Sequence, residues 1–354
     1  MSYNLYDILI KAHEEKASDI HFTVAKPPIL RIRGDLVSFG ENELTQEDTE
    51  KIANELMSDE KKAIFNEKGE VDFSWSVPST SRYRVNIYRQ RGSHTAALRL
   101  INTRIPTTDE LRLPEILNTM ALKPRGMFLV TGPTGSGKST TLAAMVGHIN
   151  KIRKCHVLTI EDPIEYMHKH DKCMVNQREV GTDTMSFSNA LRASLREDPD
   201  VIMVGEMSDY ETISTAISAA ETGHYVLSTL HTTTSALTVD RIIDTFPPHQ
   251  QQQVKTQLAS ILQGIICQQL IKSADGKMVV PAVEILIVND AVRNLIREGK
   301  NHQIDTVLQT SIKQGMMPMD YSLAQLVKAK IIRREDAQVR CVDPEVFQRY
   351  MTLI

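Results

Sequence analysis

The chain has 354 residues, with 41 Lys and Arg against 44 Asp and Glu and a formal net charge of −3. That length supports two domains with substantial cores, and the near-neutral balance supplies no global attraction to nucleic acid or an anionic membrane. Cys155, Cys173, Cys267 and Cys341 form no C-x-x-C pair, which excludes a zinc-ribbon or disulfide framework and fits a reducing cytoplasm. No run approaches 18 apolar residues and the N-terminus lacks an apolar h-region, so a protein that is neither secreted nor membrane-spanning is expected.

In chain order, Leu5, Ile8, Leu9 and Ala12 at helical spacing predict a first helix, and residues 46–65 a second. Tyr83, Val85 and Ile87 alternate with Arg82, Arg84, Asn86 and Tyr88, predicting a half-buried strand, and residues 95–101 predict its partner. With the turn centred on Arg91 and Gly92, Arg84 falls opposite Arg99, and like charges so placed repel unless an anion lies between them. An ordinary solvated arginine face is the alternative. A nucleic-acid surface with Tyr83 and Tyr88 stacking is a third reading, disfavoured by the inward phase of Tyr83.

Residues 1–101 therefore read as a small α+β module. Residues 102–114, with Pro106 and Pro114, read as a linker of roughly a dozen residues able to span about 40 Å if extended. From 115 to 280, buried runs at 127–130, 157–160, 201–204 and 225–230 alternate with helix-compatible segments, which predicts a mostly parallel sheet covered on both faces. Residues 281–354 read as a mainly helical C-terminal region.

The stretch Gly132, Pro133, Thr134, Gly135, Ser136, Gly137, Lys138, Ser139 fits G-x-x-x-x-G-K-[ST] between a predicted strand and a predicted helix that includes Thr140. Glycines let successive N–H groups surround phosphates, and the helix N-terminus adds its positive dipole end. Lys138 is placed to reach the β/γ-phosphates and Ser139 to ligate Mg2+.

Ligands in such a sheet sit at the carboxyl ends of strands. Glu161, Asp162 and Glu165 follow the second buried run, Gly205, Glu206 and Asp209 the third, and His231 the fourth, with His224 just before it. These clusters are expected to converge on the phosphate loop and supply metal-water ligands and a base. Glu161 and Glu165 could instead favour a helix N-terminus. His224 and His231 have no third ligand at a zinc spacing, which favours a γ-phosphate sensor over a metal pair.

With these motifs in place, the chain resembles the secretion-superfamily ATPases, most closely the type IV pilus retraction ATPases. The phosphate loop looks like their Walker A, TIEDPIE (159–165) like their Asp box, VGEMSD (204–209) like their Walker B, and TGHYVLSTLH (222–231) like their His box. NDAVRNLIREGK (289–300) is similar to the AIRNLI signature of retraction motors. The resemblance implies a PAS-like N-terminal domain, a RecA-like P-loop NTPase domain and a homohexameric ring hydrolysing ATP with Mg2+. Residue by residue it implies that Glu165 and Glu206 orient or activate water, that His224 and His231 act as the His-box pair, and that Arg84 and Arg99 act in trans. Ser139, Asp162 and Glu206 are the expected metal ligands or holders of metal-bound water.

Two departures stand out. Ser208 occupies the place of an arginine in many relatives, and Gly205 stands where common phosphate-loop ATPases have the Walker B aspartate. A helix N-capped by Asp290 is expected to carry Arg293 and Asn294 as coupling residues. The implied partners are an inner-membrane pilus platform protein and a paralogous retraction ATPase, with the chain peripheral at the inner face of the cytoplasmic membrane. A pilus-assembly or type II secretion motor is the alternative within the superfamily. Outside it stand a RecA-like nucleic-acid translocase, which the neutral charge argues against, and a nucleotide-gated scaffold, which Lys138 and Glu206 argue against.

Overall fold

A computed structural model describes residues 3–32, 34–77, 81–101 and 104–353. The chain divides into two compact units, residues 1–104 with 163–167, and residues 105–162 with 168–354. The expected start of the linker, Asn102 and Thr103, lies outside the described residues.

The first unit runs α1 (Leu5–Glu14), β1 (Asp19–Phe22), β2 (Ile29–Ile32), β3 (Asp35–Ser38), α2 (Gln46–Leu56), α3 (Asp59–Lys68), β4 (Glu70–Val77), β5 (Ser81–Gln90) and β6 (Ser93–Ile101). Its strands form one antiparallel sheet in the order β3-β2-β1-β6-β5-β4. The predicted helix over 46–65 is two helices. Ser58 breaks it, accepting the Lys61 N–H as N-cap of α3, and a local polar cap of this kind interrupts an apolar pattern that spacing alone reads as continuous. Arg91 (φ 51) and Gly92 (φ 80) make the two-residue turn between β5 and β6, both in the left-handed region that a type I′ hairpin requires. That turn fixes the register, so Tyr83, Val85 and Ile87 are buried against Leu9, Ile52 and Leu98 on the helix-covered face.

The second unit runs α4 (Ile116–Ala121), β7 (Gly126–Thr131), α5 (Lys138–Ile152), β8 (His156–Glu161), β9 (Met174–Glu179), α6 (Phe187–Ser194), β10 (Val201–Val204), α7 (Tyr210–Glu221), β11 (Tyr225–Leu230), α8 (Ser235–Asp244), α9 (Pro248–Ile261), β12 (Leu262–Lys272), β13 (Val279–Ile287), α10 (Asp290–Glu298), α11 (Ile304–Thr310), α12 (Met319–Lys328), α13 (Arg334–Gln338) and α14 (Pro344–Leu353). The sheet order is β13-β12-β7-β11-β10-β8-β9, parallel throughout except for β13 against β12. β7, β8, β10 and β11 are buried at every position, as strands covered on both faces must be.

Two boundaries differ from the sequence reading. Residues 105–114 are no extended tether: Thr107 and Glu110 cap each other's backbone, Thr108 is buried, and Leu113 is buried in the core beside Leu117 and Met145. The helical C-terminal region begins after Ile287, because the apolar run through Pro281 completes a hairpin with β12 rather than a helix.

Candidate active site

The phosphate loop is shaped by what lies against it. A Cβ on Gly132 would come within 2.3 Å of the Gln268 carbonyl oxygen, and one on Gly137, the left-handed N-cap of α5, within 2.8 Å of Gln268 Nε2. Gly132 therefore requires glycine because the β12 backbone presses on the loop, and Gly137 because its φ of 87° lies in the left-handed region. Gln268 is itself a brace. Its Nε2 donates to the Ser136 carbonyl at 2.7 Å and its Oε1 accepts from Thr141 at 2.8 Å, tying the loop to the first turn of α5. Nothing in the motif points to Gln268; its only signal is the glutamine pair 268–269 in the middle of a largely apolar strand. Gly135, on the open side, is left-handed with no atom within 4 Å of its notional Cβ, whereas the Ser136 hydroxyl is buried beside Gly132 and has no hydrogen-bond partner in the protein. An orphaned hydroxyl inside a cradle of backbone amides is what a bound phosphate satisfies. The loop thus fits a nucleotide.

The buried Lys138 ammonium donates to the Gly132 and Pro133 carbonyls at 2.9 and 3.1 Å and lies 3.4 Å from His231 Nδ1. His231 Nε2 lies 3.4 Å from Glu206 Oε2. An ammonium can only donate, so Nδ1 is the acceptor and Nε2 carries the proton toward Glu206. Walker A, Walker B and His box therefore meet through three side chains. Glu206 and His231 remain about half exposed, at 40% and 48%. The ends of β10 and β11 position them, and Thr229 Oγ1 donates to the Gly205 carbonyl at 2.6 Å, joining those ends.

Gly205 explains the missing aspartate. A Cβ there would lie 3.2 Å from the Ile160 carbonyl of β8, so a carboxylate side chain needs the neighbouring strand end to shift. Ser208 is exposed, and Asp209 beside it N-caps α7 by accepting the Thr212 N–H. Among the described residues no three His, Cys, Asp or Glu cluster as a metal site. The Ser139 hydroxyl and the Asp162 and Glu206 carboxylates are oxygen donors of the kind that Mg2+ takes, one or two from protein with phosphate oxygens and water filling the rest. Ser139 is half-buried in the first turn of α5 and Asp162 is exposed after β8.

Glu161 is buried and accepts from Thr159 Oγ1 at 2.6 Å and Gln177 Nε2 at 3.0 Å, while Gln177 Oε1 accepts the His168 N–H. No helix follows β8, so the alternative of carboxylates at a helix N-terminus falls; Glu161 braces the Asp box instead. Glu165 is exposed and belongs to 163–167, the segment that counts with the first unit.

His224 does not join the cluster. It precedes β11 whereas His231 follows it, and a six-residue strand at about 3.3 Å per residue separates the two by roughly 20 Å. Its Nδ1 lies 3.0 Å from the Ala219 carbonyl and 3.2 Å from Thr222 Oγ1, at the C-terminus of α7. Proximity in sequence misled because parallel strands present ligands at one end only.

Arg84 and Arg99 stand opposite each other in register. Their repulsion is relieved by carboxylates: Arg99 Nε donates to Asp19 Oδ1 at 2.8 Å, and Arg84 Nε lies 4.0 Å from Asp72 Oδ1. Burial works to raise the Asp19 pKa, but the hydrogen bonds from Arg99 and Ser18 outweigh it and hold this carboxyl below its ordinary value. An anion is not needed to make the pair stable. Both guanidinium groups remain mostly exposed, at 51% and 72%.

In α10 the N-cap is Asn289, whose Oδ1 accepts the Val292 N–H at 3.0 Å; Asp290 is the first helical residue rather than the cap. Arg293 Nη1 donates to the Ala259 and Ser260 carbonyls, closing the end of α9. Asn294 is exposed and accepts from Arg297.

Phosphate binding at the carboxyl ends of a parallel sheet, with an acid and a histidine beside the loop lysine, is the arrangement of a phosphate-loop ATPase. More narrowly, the chain belongs to the type II/IV secretion system protein family, whose profile matches residues 3–330. It is 44% identical to the Pseudomonas aeruginosa "type IV pilus retractation ATPase PilT", over 97% of this chain and all of that one. It is 48% identical to a Neisseria gonorrhoeae "twitching motility protein", over 90% of this chain and 85% of that one. The crystal structure of the pilus retraction motor PilT with bound ADP superposes with a TM-score of 0.91 at 48% identity, covering 98% of this chain and 99% of that one. The expected order, an N-terminal PAS-like α+β domain and then a RecA-like ATPase domain, agrees with that match.

Proposed function

We propose that the chain hydrolyses ATP to power type IV pilus retraction. The observation that carries the chemistry is the contact series from Lys138 through His231 to Glu206, which links the phosphate loop to a strand-end carboxylate. The retraction assignment rests on the relatives named above. Ser139 would hold Mg2+, with Asp162 and Glu206 beside it, and the ion would supply charge neutralisation at the phosphates. Lys138 releases the loop carbonyls and places its ammonium against the β/γ-phosphates. Glu206 orients water, and His231 reports the terminal phosphate to the Walker B strand.

The working form is a homohexamer in which Arg84 and Arg99 of one subunit meet nucleotide on the next. Their exposure and the register of the hairpin support this. Glu165 shares the task of orienting water. The motor acts at the inner face of the cytoplasmic membrane on the pilus platform protein, with a paralogous ATPase as a second partner. No helix of the described residues is long and apolar enough to cross a membrane.

Deletion of the gene followed by counting surface pili tests the direction of force. Hyperpiliated, non-motile cells are expected, and bald cells would mean an assembly motor. A DNA-stimulated ATPase rate would favour a translocase.

A further inference from the structure

Glu284 on β13 is 4% exposed, and its Oε1 accepts the Ser235 N–H at 2.7 Å. Ser235 is the first residue of α8, only four residues after His231. The same carboxylate oxygen lies 3.7 Å from the Cys267 sulfur on β12, and that sulfur accepts from Thr131 Oγ1 at 3.1 Å. Thr131 is the last residue of β7 before the phosphate loop, and Cys267 immediately precedes the loop brace Gln268. Burial pushes the Cys267 thiol well above its ordinary pKa, so it stays protonated and can donate to Glu284 while accepting from Thr131.

A buried carboxylate is costly to place in a sheet, and leaving its partner N–H unsatisfied is costly as well. The hydrogen bonds made here join two ends of the site that share no strand: the root of the phosphate loop and the root of the His231 loop. Thr234, the N-cap of α8, completes the second root through the Leu237 N–H.

We propose that Glu284 is a positioning residue for hydrolysis, holding the 231–234 loop at a fixed height above the phosphate loop so that His231 meets Lys138 and Glu206. This inference rests on the ATPase reading. Its effect falls on turnover rather than affinity, because nucleotide is held by the loop amides and His231 enters only at the reacting end.

The test compares ATP turnover and nucleotide binding of the full chain with Glu284→Leu, Glu284→Asp and Glu284→Gln. Leu removes the acceptor and should lower kcat per nucleotide-binding subunit about ten- to hundredfold, the scale of a misplaced catalytic group, with KM for ATP nearly unchanged. Gln keeps an acceptor oxygen at the same reach and should restore kcat. Asp withdraws the oxygens by one methylene and should lower kcat with KM held, so it reads the same geometry should the Leu variant fail to fold. Wild-type kcat in Leu or Asp, or a Gln variant as impaired as Leu, would overturn the inference. A wild-type chain that binds ATP without turning it over would overturn the ATPase reading itself, and this inference with it.

Discussion

At the scale of single residues, Lys138 and Glu206 divide binding from chemistry. Lys138→Ala removes the only cation that the loop itself carries and should abolish tight ATP binding, while Glu206→Gln keeps size and hydrogen bonding but loses the charge that polarises water. The second variant should bind ATP normally and turn over about a hundredfold more slowly, the usual effect of removing a positioned base. Titration with a fluorescent ATP analogue and a phosphate-release assay separate the two. Undiminished hydrolysis in Glu206→Gln would shift the role to Glu165. Glu284 supports a pH prediction. Burial, reinforced by the neighbouring Asp305 charge, pushes its pKa up to about 7 from 4.5 despite the bonds from Ser235 and Cys267. The folded state therefore holds this proton more tightly than the unfolded state, so the stabilisation is complete below pH 4.5 and is lost as pH rises through 7. The linkage amounts to on the order of 3 kcal/mol at pH 8, and Glu284→Gln should melt higher than wild type there while the difference vanishes near pH 4. Thermal melts across that range check it.

At the scale of elements, the loop depends on a strand outside its own motif. Gln268→Leu preserves the volume of the brace but frees the Ser136 carbonyl and Thr141 hydroxyl, so it should weaken ATP binding severalfold and cost about 1–3 kcal/mol of stability for the buried groups left unpaired. Calorimetric titration and a melt read both. Helix α10 separates two residues that the sequence groups together. Arg293→Ala removes the cap on the last carbonyls of α9 and should destabilise the second unit by about 1 kcal/mol, whereas Asn294→Ala should leave the melt unchanged. If Asn294→Ala nevertheless stops pilus retraction with ATPase activity intact, coupling runs through the exposed Asn294. If only Arg293→Ala impairs retraction, in step with its loss of stability, the helix is structural.

At the scale of the whole molecule, the exposed Arg84 and Arg99 have carboxylate neighbours in their own sheet, yet neither guanidinium is fully engaged. In the proposed hexamer, mixing inactive Arg84→Ala and inactive Lys138→Ala subunits before assembly should restore part of the ATPase activity, because some interfaces then pair an intact arginine with an intact loop. Recovery should vary with mixing ratio. No recovery in rings verified as mixed would place the arginines in the structural face that Asp19 and Asp72 already stabilise.

The phosphate loop, the β5–β6 hairpin and the buried parallel strands are legible from the residues alone. Each is written in short-range terms: glycines at fixed offsets, a left-handed turn pair, and runs apolar on both faces. The Arg84–Arg99 pairing followed from the turn, since a two-residue hairpin allows one register. The contacts that no local pattern announces join residues far apart in the chain. Gln268 braces Ser136 across 132 positions, and Glu284 reaches Ser235 across 49, contacts with no local signature. Cys155 and Cys173, scattered in sequence, lie 3.4 Å apart because they occupy adjacent places just before the parallel pair β8 and β9. His224 shows the converse. It sits close to His231 in sequence, yet strand direction carries the two to opposite ends of the sheet, since a strand advances about 3.3 Å with every residue and only its carboxyl end meets the loop.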